Sequence, residues 1–158
     1  MGASMDLIAG DLREILLVVG LDDPDLEAAG PRFDAHLALG GGLDPTWLDL
    51  FAESARVATG GNDPVDLIDA RIELDGPGAA AGDRTIERID PTWISAVARI
   101  PDSALDAIAG RWIELVGDEI GPLPREEKPW IRDLAGQIVS FCRRADRSAD
   151  VLFVWSLR

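Results

Sequence analysis

KPWIRDLAGQIVSFCRRADRSADVLFVWSL, residues 128–157, changes its hydrophobic period part-way through, and that change decides the fold class. Trp130, Leu134, Ile138, Phe141 and Ala145 recur at helical spacing and put one apolar face on a long helix. Arg143, Arg144 and Arg147 fall near its C-terminal end, where positive charge complements the helix dipole. After the polar stretch 146–150, Val151 to Leu157 is short, β-branched and aromatic, the mark of a terminal strand.

Working back toward the N-terminus, four Asp-Pro pairs punctuate the chain: Asp23-Pro24, Asp44-Pro45, Asp63-Pro64 and Asp90-Pro91. Aspartate accepts from the orphan amides of a first helical turn and proline suits the first helical position, so each pair predicts a helix start. A fifth start is expected at Asp102, after Pro101. Apolar stripes follow: Trp47, Leu48, Phe51, Ala52, Ala55 and Ala58; then Trp93, Ile94 and Val97; then Leu105, Ile108, Ala109, Trp112, Leu115 and Val116. Further strands are expected over Met5–Ala9, feeding a helix near Asp11, and over Thr85–Ile89. Phe33–Leu39 alternates, with Phe33, Ala35, Leu37 and Leu39 on one side. Helices and strands do not alternate regularly enough for a doubly wound sheet. The expectation is one α+β domain over residues 1–158, with several helices packed on a small mixed or antiparallel sheet that includes a C-terminal strand. Residues 75–83, DGPGAAAGD, read as a surface loop.

Composition sets the function classes. The 158 residues carry 29 acidic and 15 basic side chains, a formal net charge of −14. That charge repels a phosphate backbone and an anionic membrane, so neither nucleic acid nor membrane is an expected partner. It favours solubility first and a basic protein or peptide second. Cys142 is the single cysteine, which excludes an internal disulfide and fits a reducing, cytoplasmic setting. No apolar run approaches a membrane span, and the first six residues lack the basic region of a secretory signal.

Few residues suggest chemistry. One histidine and one cysteine make no zinc constellation, and the acids Asp22, Asp23, Asp25 and Glu27 lack the pattern of a calcium loop, so no metal or cofactor is expected. Gly40-Gly41-Gly42 is followed by Leu43 rather than a P-loop lysine. Because it runs into Asp44 and Trp47 at a helix start, its amides are candidates to face a ligand, with a tight turn as the plainer reading. His36 is the candidate catalytic base, read against a hydrogen-bonded structural histidine beside Phe33, Leu37 and Leu39. Cys142 reads as an inert core thiol. Asp66, Asp69 and Glu73 share a helical face by spacing, as a solvated face also would.

The order of features resembles the YfbM-like family of small bacterial proteins. The resemblance rests on the N-terminal strand and helix, Leu43-Asp44 with Trp47 and Leu48, Thr59-Gly60, Asn62-Asp63-Pro64, and the long last helix closed by a strand. The chain departs from that family by carrying His36 before the glycines rather than near Trp47. The resemblance implies a mixed α+β fold and supplies no catalytic residues. The functional expectation is a non-catalytic, acidic binding or regulatory protein of a bacterial cytoplasm, of immunity type. The alternative is a hydrolase-like or small-ligand-binding enzyme using His36 near Gly40–Gly42. The sequence leaves the oligomeric state open.

Overall fold

Successive strand residues point to opposite faces, and in this chain the two sets differ in character. In a computed structural model, which describes residues 3–19, 33–41, 45–59, 71–73, 80–81, 84–148 and 150–157, that difference sorts the fold into layers. The strands are β1 (Ala3–Gly10), β2 (Ala35–Gly41), β3 (Arg71–Glu73), β4 (Ala80–Ala81), β5 (Arg84–Ile89) and β6 (Asp150–Leu157). They form one antiparallel sheet in the order β2-β1-β6-β5-β3, with β4 also paired to β5. The helices among the described residues are α1 (Leu12–Val19), α2 (Pro45–Thr59), α3 (Pro91–Ala98), α4 (Leu105–Glu119) and α5 (Lys128–Ala145). The protein is α+β with a C-terminal strand, and that strand is central rather than peripheral.

Met5, Leu7 and Ala9 of β1, Ala35, Leu37 and Leu39 of β2, and Val151 and Phe153 of β6 share a core with α2 to α5. Trp93 and Trp112 are fully buried there, each worth on the order of 4 kcal/mol of apolar transfer. Trp112 also donates its indole N–H to the Trp47 carbonyl at 2.9 Å, tying α4 to the first turn of α2. Ile8, Leu152, Val154 and Ile86 point the other way and meet Ile15 and Val18 of α1, together with Phe33.

Local chemistry explains the helix boundaries. Asp90 caps α3: its carboxylate accepts the Thr92 amide and the Thr92 hydroxyl, both at 2.8 Å, and Pro91 sits at the first helical position. Asp11 does the same for α1, accepting from the amides of Arg13 and Glu14. A helix starts at Asp102 as expected, but Asp102 does not cap it. A 3₁₀ turn, Asp102–Ala104, precedes α4, its Ala104 amide donates to Pro101, and Asp102 caps nothing. Its carboxylate instead takes Nη1 of Arg143 at 2.9 Å. At the far end of α4, Gly121 turns the chain at φ +147°, a conformation L side chains rarely adopt.

Other expectations are corrected. Phe33 lies on the α1 side of the sheet, because the chain bends at Phe33–Asp34 before β2 begins. Trp130 is 41% exposed, since the buried stripe of α5 starts one residue later, at Ile131. Glu73 belongs to a strand, not a helix, and Ala80–Ala81 forms β4 inside the expected loop. The predicted starts at Asp23-Pro24 and Asp63-Pro64 lie outside the described residues, as do Asp66, Asp69 and the acids of 22–27.

Candidate functional site

The site begins with an aspartate in an apolar strand. Asp6 stands between Met5 and Leu7, both buried, and its side chain lies on the α1 face with Ile8. Two cross-strand rows define its surroundings. One runs Ala38–Asp6–Val154–Ile86, and the next runs His36–Ile8–Leu152–Arg88. Asp6 and His36 are therefore diagonal neighbours on adjacent strands, within reach of each other.

They meet. His36 Nε2 lies 2.8 Å from Asp6 Oδ1, with side-chain exposures of 14% and 13%. The imidazole also stands edge-on to Phe33, ring centroids 6.3 Å apart. Burying a carboxylate without a partner is costly, so Asp6 stays in the strand because His36 supplies one. The pair fixes the register of β1 on β2 beside an irregularity in that ladder between Met5 and Asp6. Register alone brings together residues thirty positions apart, which is why periodicity did not reveal the pairing. The signal that could have found it is an acid inside the apolar run MDLIA.

The other expected site residues lie elsewhere. Gly40 and Gly41 end β2 and pair with Met5 and Ser4 of β1. Gly42 and Asp44 lie outside the described residues. Trp47 is buried among the helices, edge-on to both Trp112 and Trp130 with centroids 6.4 Å and 6.3 Å apart. His36 alternates with Leu37, which belongs to that helical core, so His36 and Trp47 are on opposite faces of the sheet.

Cys142, Ser54 and Ser95 are each held in place. Cys142 is fully buried, and burial, aided by the charge of Asp146, pushes its thiol far above the ordinary range. Ser54 Oγ is buried and donates to the Leu50 carbonyl at 2.8 Å, within its own helix. Ser95 donates to Asp146 at 2.6 Å, joining α3 to the chain after α5. At that junction Arg88 pairs with Asp150 at 3.1 Å beside a cavity of about 20 Å³, lined also by Ile94, Asp146 and Ser148. That volume takes one water and no substrate. Among the described residues no group of His, Cys, Asp and Glu could hold a metal ion.

No family model, curated protein or solved structure matches the chain. Among the described residues, no helix is long and apolar enough to cross a membrane.

Proposed function

We propose that the chain is a non-catalytic binding or regulatory protein of a bacterial cytoplasm, of immunity type, related to the YfbM-like proteins, whose partner presents a basic surface. One observation carries this reading, the distribution of charge. Residues 1–90 hold 19 of the 29 acidic side chains and 6 of the 15 basic ones, so nearly all of the −14 net charge belongs to that part of the chain. A net negative charge of this size favours association with an oppositely charged partner. The placement of the reactive side chains supports it: His36, Cys142, Ser54 and Ser95 each serve the fold.

The test is capture of partners on the immobilised protein at low and high salt, then calorimetry with the purified partner. A basic protein binding with defined stoichiometry and an affinity that falls steeply with ionic strength supports the reading. Retention of nothing above a control bait overturns it. A second reading keeps His36 as a general base oriented by Asp6, favoured by the 14% and 13% of their side-chain surfaces that stay open. His36→Ala decides it: loss of a hydrolytic activity, with the melting temperature unchanged, supports the enzyme.

A further inference from the structure

The two edges of the sheet are built differently. The β3 edge is three residues long, Arg71–Glu73, and charged at both ends. Short, charged edges resist strand pairing. The other edge, β2, runs seven residues, Ala35-His-Leu-Ala-Leu-Gly-Gly41, with no lysine, arginine, acid or proline. One side of β2 is laddered to β1, and no described strand pairs with the other side. Among the described residues β2 therefore offers a row of backbone donors and acceptors and no charge of its own to repel a newcomer.

Side chains and charge say what kind of newcomer fits. Ala35, Ala38, Gly40 and Gly41 leave room for close backbone approach, and Ala38 is exposed. Leu37 and Leu39 anchor β2 to the helical core, and the His36–Asp6 bond holds it on the opposite face, so the edge is rigid before anything binds. Between Phe33 and Ala55 the sequence has four acids, Asp34, Asp44, Asp49 and Glu53, and no lysine or arginine. We infer that the outer edge of β2 is a docking site for an extended, basic segment of a partner protein, which adds to the sheet as a further strand. This inference rests on the basic-partner reading and names its surface. A second copy of the chain suits the edge by symmetry, but a net charge of −14 on each copy opposes it.

The experiment uses the full chain and a short synthetic peptide alternating arginine and valine, read by amide hydrogen exchange. Expected is slower exchange confined to residues 35–41, with no such change for a glutamate–valine peptide or for an arginine–valine peptide N-methylated at every residue, which cannot donate along its backbone. Ala38→Lys places a positive gatekeeper on the strand and weakens the arginine–valine peptide about tenfold, whereas Ala38→Glu keeps or tightens it. Protection that appears elsewhere, binding of the N-methylated peptide as tightly as its unmethylated parent, or indifference to both Ala38 variants overturns the inference. So does a doubled mass without peptide that protects β2, which makes a second copy the occupant. A basic partner captured from lysate that leaves β2 exchange unchanged overturns the edge proposal alone and leaves the wider reading standing.

Discussion

The two faces of the sheet use the same strands and are covered very differently. On one, four helices bury Leu7, Leu37, Val151 and Phe153 under a layer that includes Trp93 and Trp112. On the other, among the described residues, the eight-residue helix α1 sets Ile15 and Val18 on Ile8, Leu152 and Val154, and leaves Leu17 66% exposed. An isolated helix of that length is marginal in water, so α1 depends on its contacts with the sheet. The helical layer, by contrast, is held by large side chains that interlock across several helices. Among the described residues the packing is therefore unequal, and the α1 side, which carries Asp6 and His36, is the one expected to open locally first.

Large side chains test that contrast most sharply. Trp112→Ala removes the indole at the centre of the helical layer and its bond to the Trp47 carbonyl. Global stability should fall by about 3–5 kcal/mol in denaturant titration, lowering the midpoint without changing the slope. Neighbours on β6 then compare the faces directly, because Phe153 points to the helices and Leu152 to α1. Phe153→Ala should cost about 3–5 kcal/mol and Leu152→Ala about 2–3 kcal/mol, with the latter speeding amide exchange in α1 well before it does so in α5. Equal acceleration in both helices would break the comparison.

Smaller effects sharpen it. Arg143 donates to the carbonyls of Ala98 at 3.3 Å and Ile100 at 2.6 Å and to Asp102 at 2.9 Å, closing the end of α3 with one guanidinium. Arg143→Lys keeps the charge but not the fork, and should lose about 1 kcal/mol on thermal melting, close to the loss for Arg143→Ala. Asp90→Ala should likewise cost about 1 kcal/mol through the lost cap of α3. The Thr92 amide and hydroxyl, with the charge of Arg88, hold the Asp90 carboxyl below its ordinary value. Its folded value is the lower one, so its contribution is complete above about pH 4, the unfolded carboxylate's range, and is lost as pH falls through the folded value. Asp90→Asn keeps a cap without that titration and should flatten the acid limb of the stability curve. At the bottom of the scale, Leu17→Ser, on the exposed side of α1, should shift stability by less than about 0.5 kcal/mol.

How far the sequence reached depended on whether the controlling physics was local. The stripe read for α4, Leu105 to Val116, is the set that is buried, because helical period and solvent exclusion act on the same residues. The Asp90 cap is equally local. Trp130 was misplaced because a first-turn residue on the shoulder of a stripe is settled by its neighbours, here the ring of Trp47. Arg143 lies in the last turn of its helix, as its sequence position indicated, but the partners that use its fork, the carbonyls of Ala98 at the end of α3 and Ile100 just beyond it, are tertiary. β3 and β4 carry too few residues to show alternation. For the candidate site, His36 was visible as an isolated histidine, but Asp6 was not, because strand register is a tertiary property.

The middle of the sheet has one further consequence, for the order in which the protein can be made. β1 and β6 pair along their whole length, Ala3 with Leu157 through to Gly10 with Asp150, and β6 also fills the gap between β1 and β5. During synthesis β6 leaves the ribosome after the other strands of the sheet. Until it does, β1 and β5 each lack the neighbour they will share, and the nascent chain carries two open strand edges while its helices are already able to form. Closure is a late insertion of β6 into the centre, so deleting β6 should trap the chain in an aggregation-prone state.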